Sequence, residues 1–456
     1  MKRGEASTLV RGSVRDTLLR MALPMLAGTF AMNAYNLTDA YFVSRLGTVP
    51  LAAMSVTFPV VMLLTFVAGG IGTGVTALVS HAIGRQDRAD AVKLVTHGMA
   101  LAVAAAVALS IAGYASIDWL FRRLGADGKT LPLVADFMRI WYLGALTMAL
   151  PMMGNGILIS AGDSAGASRF MILGTALNAV LNPIFIFGLL GFPAMGIRGS
   201  ALATVVAQTV STAWLLHLLI ARHRLLALRK WRPGEYLDSF RRIAGFAVPS
   251  ILSMALMPVS AGVITRILSG FGHEAVAAAG ASSRIESFAF VVPMALGISL
   301  TPFVSQNFGA GRLDRIREAR SLATRFALLY GAAVAVVFFA CAPLFAALFT
   351  DDPKVAAVLV AYIRIVSFGY GMMETHRYSG FMLTGLQKPV STTLLNALRV
   401  FVVLIPLSLL GARWFGVRGV FFGRLATDFI VGSVGIAWVT RTFDSISGAG
   451  TALEAR

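Results

Sequence analysis

Long apolar stretches recur along the whole chain, and short segments that carry most of the charges separate them. Each stretch has about 20 residues or more, the length that an α-helix needs to cross a bilayer. A transmembrane β-barrel would instead show segments of about ten alternating residues. We therefore predict an all-α integral membrane protein with about twelve transmembrane helices, because a spanning helix satisfies its own backbone hydrogen bonds. The approximate limits of the stretches are 15–44, 50–83, 93–117, 131–160, 168–191, 196–221, 243–270, 275–308, 320–349, 355–386, 389–412 and 416–440.

Composition and charge agree with this class. The chain is 57% hydrophobic and 13% charged, and its net charge is +18. Basic residues are concentrated in alternate loops, which are predicted to be cytoplasmic by the positive-inside rule, with both termini on that side. This placement accounts for the net charge without a nucleic-acid partner, and Cys341 offers neither a disulfide framework nor a metal cluster. The loops of the basic side contain Lys2, Arg3, Arg11, Arg15, Arg85, Arg88, Lys93, Arg169, the basic residues of 222–242, Arg312, Arg315, Arg317 and Arg320.

The two halves of the sequence repeat each other in one register. Pro24 and Pro249 lie 225 residues apart, and the same spacing pairs Gly47 with Gly272 without a gap. Six stretches precede the repeat, so the halves should have the same orientation and be related by an axis along the membrane normal. We predict an N-terminal lobe over 1–221, a cytoplasmic basic linker over 222–242 and a C-terminal lobe over 243–456. The linker is interpreted as an orientation signal and tether, with a regulatory or lipid-contacting segment as the alternative.

One carboxylate stands out, because Asp39 is the one charged residue in the apolar stretch 21–44. A charge within a span is costly and usually faces an internal cavity that serves ion or proton movement. Asn178 and Asn182 of the fifth stretch and Thr204 of the sixth are predicted to lie at a similar depth. These side chains could form a proton or hard-cation site, or a hydrogen-bond network that only packs the helices.

Other polar residues of the first stretch lie within about one turn of Asp39 and are interpreted as supporting the same site: Asn33, Tyr35 and Asn36. Pro24 removes one backbone hydrogen bond from the first helix, so we expect a kink there. Bending of that helix on protonation of Asp39 would expel a bound compound, whereas a static kink would have no such role.

The second half has candidate residues of its own. Arg399 and Asp428 lie at similar depths and are predicted to form an ion pair. Glu286 is expected either to be neutralised by Arg284 or to serve as a second carboxylate for a cation or substrate. A further group, which could relay protons or form a salt bridge, comprises Glu374, His376 and Arg377.

Several segments resemble the multidrug and toxic compound extrusion (MATE) transporters. The opening ALPMLAGTFAMNAYNLTDAYFVSRLG is similar to their first helix, NAVLNPIFIFG and GIRGSALAT to their fifth and sixth, and SLTPFVSQNFGAGR to the end of their eighth. The proline-containing first helix with Asp39 resembles the DinF-like branch most. The resemblance covers nearly the whole chain, and it implies two six-helix lobes and a cation-coupled antiporter that exports organic, often cationic or lipophilic compounds.

In the family, the first-helix aspartate that Asp39 matches is a proton or sodium site, and the fifth helix often carries a second aspartate. This chain has Asn182 at that position. The missing carboxylate makes H⁺ our first choice of coupling ion and Na⁺ at Asp39 the second, and we expect no other metal or cofactor. Many phenylalanines and methionines would suit an adaptable substrate cavity, although such residues more often pack or face lipid; the methionines are Met21, Met25, Met32, Met54, Met62 and others.

We therefore predict a monomeric, multi-pass secondary transporter of the cytoplasmic membrane, surrounded by lipid and acting on small organic substrates by alternating access. No nucleotide-binding loop or nucleophile triad is present, so ATP-driven transport and hydrolytic chemistry lack support. The main alternative is a lipid-linked oligosaccharide flippase of the same broad superfamily, against which the span count and Asp39 argue. A membrane-embedded enzyme is the third hypothesis, and it would have to use the group around Glu374.

Overall fold

The computed structural model describes residues 8–227 and 232–454, and within these residues the chain is helical with no β-strand. The helices are α1 (Val14–Ser44), α2 (Thr48–Gly84), α3 (Arg88–Arg123), α4 (Thr130–Ser160), α5 (Ser164–Phe187), α6 (Ile197–His217), α7 (Pro233–Ser269), α8 (His273–Ala289), α9 (Val291–Gly309), α10 (Leu313–Ala347), α11 (Pro353–Val366), α12 (Tyr370–Gly385), α13 (Pro389–Ala397) and α14 (Ile405–Glu454). Short 3₁₀ or π turns, Thr8–Val10, Leu218–Arg222, Ser367–Gly369 and Leu398–Leu404, precede or extend several of them.

The number of membrane passes agrees with the prediction. In the described part of the chain, nine helices are long and apolar enough to span a membrane, or ten when the bent pair of α8 and α9 is one span. The less apolar α1 adds an eleventh, because Asn33, Asn36 and Asp39 reduce its hydropathy. The continuous run Pro389–Ile446 counts as one span by length but is interrupted at Gly416, which adds the twelfth.

Gly416 marks a chain reversal within α14. Its φ of 61° lies in the left-handed region, which glycine enters without the steric penalty of a Cβ. Helical residues on the two sides of it then run back along each other, so Gly411 touches Gly419, and a Cβ at Gly423 would lie 2.6 Å from the Leu407 carbonyl oxygen. The two arms can approach this closely because glycines line the contact.

The chain forms two compact units. The first comprises residues 1–11 and 20–251, and the second comprises residues 12–19 and 252–456. In the first unit, α4 packs against α2, α3 and α6; in the second, α12 packs against α9, α10 and α14. Large apolar side chains remain exposed on the helices, among them Leu143 at 80% and Leu329 at 73%. Such exposure suits contact with lipid rather than with water.

The predicted repeat is visible in the backbone. Gly47 and Gly272, 225 residues apart, precede α2 and α8 with φ values of 109° and 108°. Gln86 and Gly311 have the same spacing and φ values of 60° and 70°, before α3 and α10. Backbone in this region is rare for residues other than glycine, so its recurrence at matched positions shows that the two halves share one plan.

Part of the predicted linker is helical. The linker was expected over 222–242, but α7 begins at Pro233, because proline is pre-organised for the first turn of a helix. His97 Nδ1 lies 2.8 Å from the hydroxyl of Ser239, and Arg242 makes two hydrogen bonds to Asp90. The linker residues Arg229 and Lys230, and also Lys2 and Arg3, lie outside the described residues.

Candidate cation and substrate site

Three helices of the first unit converge on Asp39. It lies in the second half of α1, and residues of α5 and α6 face it. The two latter helices approach closely because Gly199 of α6 has no side chain: a Cβ there would lie 2.5 Å from the carbonyl group of Phe185. This close approach brings Ser200, the next residue, to the carboxylate.

The carboxylate of Asp39 is buried and hydrogen-bonded, with 7% of the residue exposed. The hydroxyl of Ser200 donates to Oδ1 at 2.8 Å, and Nδ2 of Asn182 donates to the same oxygen at 3.2 Å. Both partners are completely buried. Buried carboxylates need such partners, because a charge that is removed from water and left unpaired is strongly unfavourable.

A chain of hydrogen bonds continues from this pair to α6. Nδ2 of Asn182 also donates to Oδ1 of Asn178 at 2.9 Å, and Nδ2 of Asn178 donates to the Thr204 hydroxyl at 3.2 Å. The hydroxyl of Tyr35 donates to the same Thr204 oxygen at 3.1 Å. Asn182 Oδ1 is buried and has no hydrogen-bond partner among the described residues. Asp39, the two asparagines, Thr204 and Tyr35 are therefore brought together into one network, in which Asn182 Oδ1 is a buried acceptor that is not used.

Three other residues proposed for this site lie outside the network. Nδ2 of Asn33 donates to the Thr29 carbonyl, one turn earlier in α1, at 3.1 Å. Asn36 is exposed and donates to the Met32 carbonyl at 3.3 Å. Asn33, six positions before Asp39, lies on another side of α1, whereas Asn36, three positions before it, lines the same cavity as Asp39 without joining the network. Pro24 lies inside α1, and the helix continues on both sides of the proline.

Two members of the site were missed by the sequence analysis. Ser200 provides the shortest hydrogen bond to Asp39, and Gln208 lines the cavity described below. The signal for both was their position on the same helix as Thr204, one turn before it and one turn after it. Small polar residues are frequent in membrane helices as packing residues, so this spacing did not distinguish them.

Asp39 opens onto a cavity of about 850 Å³ within the first unit. Its wall is mainly apolar, and Asp39 is the one charged residue among the described residues that line it. The aromatic and methionine side chains of the wall are Tyr35, Phe58, Phe137, Trp141, Met32, Met54, Met62, Met148 and Met152. Flexible, polarizable methionines and aromatic faces accept apolar groups of varied shape, and an aromatic face also attracts a cation.

Asp163 fixes the N-terminus of α5, at the end of the helix away from Asn182 and outside the spans. This residue caps α5 by accepting a hydrogen bond from the Gly166 N–H at 2.8 Å, and Nε2 of His223 donates to its other oxygen at 2.9 Å. The hydrogen bond from His223, supported by the Gly166 N–H and the charge of Arg222, holds the pKa of the Asp163 carboxyl below its ordinary value although burial opposes the shift. The helix that presents Asn178 and Asn182 is therefore capped and tied to the segment after α6.

In the second unit, Glu286 pairs with a residue other than the expected one. Its Oε1 lies 2.7 Å from Nη2 of Arg424 in α14 and accepts a hydrogen bond from the Tyr362 hydroxyl at 2.6 Å. The expectation that Arg284 neutralises it was wrong: residues two positions apart in a helix point in different directions, and Arg284 is exposed. Arg424 is close to Glu286 only through the packing of α8, α11 and α14.

The other carboxylates proposed for the second unit, Asp428 and Glu374, are also paired. Arg399 and Asp428 form the expected contact, with Nη2 and Oδ1 3.5 Å apart and Asp428 completely buried. Nη1 of Arg377 lies 3.0 Å from Oε1 of Glu374, which is the salt-bridge alternative for that group, whereas Nε2 of His376 lies 3.0 Å from Oδ1 of Asn396. Glu286, Asp428 and Glu374 thus each have an arginine partner.

Comparison with known proteins decides the family. The family model named MatE matches the chain twice, over residues 24–184 and 249–410, and the two matches begin at the prolines that mark the repeat. The chain belongs to the MATE family of transporters. It is therefore a multi-pass membrane transporter of small organic compounds and not an enzyme, so the hypothesis of catalysis around Glu374 is abandoned.

Relatives cover nearly the full length of this MATE protein. It is 34% identical over 424 residues to the FAD transporter of Shewanella oneidensis, covering 93% of this chain and 94% of the relative. It is 23% identical over 424 residues to the probable multidrug resistance protein YpnP of Bacillus subtilis, covering 92% and 93% of the two chains. Among solved structures, the MATE transporter VcmN of Vibrio cholerae aligns with a TM-score of 0.90 and 27% identity, covering 97% and 98%.

Proposed function

We propose that this MATE transporter is an antiporter of the cytoplasmic membrane that exports organic cations in exchange for protons, with Asp39 as the site where the two compete. The observation that carries the proposal is the position of Asp39: it is buried in a hydrogen-bond network and also lines an otherwise uncharged, mostly apolar cavity. A lipophilic cation would meet one carboxylate and a wall of aromatic and methionine side chains there.

Electrostatics gives the exchange a mechanism. A cationic group about 4 Å from an ionised carboxylate gains about 4 kcal/mol at an effective dielectric constant near 20. Protonation of Asp39 removes that attraction, and about 4 kcal/mol corresponds to a factor of several hundred in affinity. Protons entering from the side of higher concentration would therefore release the cation from the cavity, and loss of the proton on the opposite side would restore the site.

The network favours a proton over Na⁺ as the ion that binds Asp39. A carboxylic acid must donate its hydrogen, and the unused Oδ1 of Asn182 is the neighbouring acceptor once the amide rotates to meet it. A hard cation would require several oxygen ligands together. Here the amide oxygen of Asn178 already accepts from Asn182, and one carboxylate oxygen accepts two donors. Na⁺ remains the second candidate.

The decisive experiment is efflux of ethidium, a lipophilic cation, from proteoliposomes under an imposed pH gradient or an imposed Na⁺ gradient. Wild type is compared with Asp39→Asn, which removes the charge but keeps the shape. Asp118→Asn is the matched control, because Asp118 is an exposed aspartate of α3 outside the cavity. We expect pH-driven efflux in wild type and in the control and at least a tenfold loss in Asp39→Asn. Equal efflux in all three, or efflux that follows the Na⁺ gradient, would refute proton coupling at Asp39.

A second candidate substrate comes from the relative that is named an FAD transporter. A flavin dinucleotide has two aromatic ring systems, which could stack on side chains such as Trp141, but its pyrophosphate is anionic and Asp39 would repel it. We therefore rank organic cations first. A competition assay decides between the two substrates. If FAD inhibits ethidium efflux and is itself transported, the dinucleotide is the substrate; if FAD has no effect, organic cations remain the proposed substrates.

The flippase alternative requires a cavity that binds the phosphates of a lipid-linked oligosaccharide. No lysine or arginine is present among the described residues that line the cavity of the first unit, which argues against it. Translocation of a fluorescent lipid-linked oligosaccharide in the same proteoliposomes would establish that alternative.

A further inference from the structure

A second, smaller cavity in the second unit has the chemistry of an anion site. Its volume is about 280 Å³, and it lies where α10, α12 and α14 pack together. Two guanidinium groups line it, those of Arg320 and Arg325, and no carboxylate is present among its described lining residues. The charge of its lining residues is therefore opposite in sign to that of the cavity at Asp39.

Arg320 is held in position by the protein. Its Nη1 donates to the Thr440 hydroxyl of α14 at 2.7 Å. In the described part of the chain, neither Arg320 nor Arg325 lies within ion-pairing distance of a carboxylate, whereas the partly buried arginines Arg399 and Arg424 of the same unit each face one. No carboxylate of the described residues therefore neutralises the positive charges of these two guanidinium groups, whose N–H donors can bind an anion.

Hydroxyl groups complete one wall of this cavity. Thr375 and Ser379 of α12 already donate to backbone carbonyls of their own helix. Ser321 and Thr324 lie on α10 between the two arginines, so they are placed to donate to a ligand that the arginines hold. Guanidinium groups and hydroxyls at one site match the oxygens of a phosphate, which accepts several charge-assisted hydrogen bonds.

The depth of the cavity points to lipid. Arg325 is exposed and is followed directly by the apolar stretch 326–347, which has the roughly 20 residues needed for a span. Arg325 therefore falls at the boundary between hydrocarbon and headgroups, on the side of the apolar stretch from which Arg312, Arg315 and Arg317 precede it. Basic pockets between transmembrane helices at this level bind the headgroups of anionic lipids.

We propose that the cavity bounded by Arg320 and Arg325 binds the phosphodiester headgroup of an anionic phospholipid. The two arginines hold the phosphate oxygens, Ser321 and Thr324 donate to them, and the acyl chains lie along the exposed apolar faces of α10 and α14. This site is separate from the substrate cavity and does not depend on the proposed function of Asp39.

The test measures retention of phosphatidylglycerol and of phosphatidylcholine by the purified full-length protein, by native mass spectrometry of lipid titrations. The double variant Arg320→Gln/Arg325→Gln is compared with the control Arg312→Gln/Arg317→Gln, which removes the same charge from the same helix end outside the cavity. Each basic side chain near a membrane surface contributes about fivefold in affinity, so we expect about 25-fold weaker binding of phosphatidylglycerol in the first variant. In the control we expect a change of less than about threefold, because the two exposed arginines do not reach the bound headgroup.

Equal losses in the two double variants would show only general attraction to the basic surface and would overturn the proposal. If the double variant does not fold, wild type and Arg325→Lys decide: wild type must prefer phosphatidylglycerol to phosphatidylcholine, and the lysine variant must lose part of that preference because it keeps the charge without the planar fork. A free anion is the other source of a phosphate. Displacement of the lipid by millimolar inorganic phosphate would assign the cavity to a soluble ligand and refute the lipid site.

Discussion

The hydrogen bond from Ser200 offers the sharpest test of the Asp39 site. Ser200→Ala removes a completely buried donor that lies 2.8 Å from Oδ1 of Asp39 and leaves Asn182 as the other donor to that oxygen. A hydrogen bond to a charged group contributes about 1.5–3 kcal/mol. That energy stabilises the ionised carboxylate, so its loss favours the protonated form by a factor of about ten to one hundred.

The expected result is a shift in the pH dependence of efflux. Because the ionised form of Asp39 is less favourable in Ser200→Ala, the pH of half-maximal ethidium efflux should move upward by about one to two units. The assay is initial efflux from proteoliposomes over a range of external pH at a fixed pH difference. Ser211→Ala is the matched control, since this buried serine of the same helix donates to the Ala207 carbonyl rather than to Asp39. An unchanged profile in Ser200→Ala, or an equal shift in the control, would refute the reasoning.

Three further predictions concern stability and are measured by thermal unfolding in detergent. The depressed pKa of Asp163 means that its bond to His223 stabilises the fold above the ordinary aspartate value near 4, and that this stabilisation is lost as pH falls through the folded pKa. Asp163→Asn should therefore destabilise the protein at pH 7 and progressively less as the pH is lowered below about 4, and an effect that does not change with pH would contradict this. Arg424→Gln should cost about 3–5 kcal/mol, because it leaves Glu286 without its ionic partner, and Glu286→Gln in the same chain should recover much of the loss; no recovery would disprove the pairing. Gly423→Ala should cost about 1–3 kcal/mol by forcing the arms of α14 apart, and a neutral outcome would show that the contact relaxes freely.

The orientation of the protein in the membrane remains a prediction with a simple test. Accessibility of single cysteines to a membrane-impermeant reagent, in a chain from which Cys341 has been removed, would locate each loop, and labelling near Arg312 from the outside would contradict the positive-inside assignment.

The sequence determined the class of the protein because the signals for that class are local. Hydropathy summed over about 20 residues predicts a span whatever its neighbours are, and the fixed spacing of the repeat predicts two halves of one plan. The importance of Asp39 followed in the same way, since a charge in an apolar stretch is costly wherever the helix packs. The pairing of Arg399 with Asp428 was also accessible, because depth along two helices is set by counting residues.

The tertiary structure decided which polar side chains share a site. Depth along a helix is counted in the sequence, but the direction in which a side chain points depends on the rotation of the helix and on which neighbour approaches it. Ser200 reaches Asp39 because Gly199 lets α6 approach α5, Glu286 pairs with Arg424 rather than with Arg284, and Asn33 turns back to its own helix. These outcomes depend on contacts between helices distant in sequence, which local hydropathy and spacing do not specify.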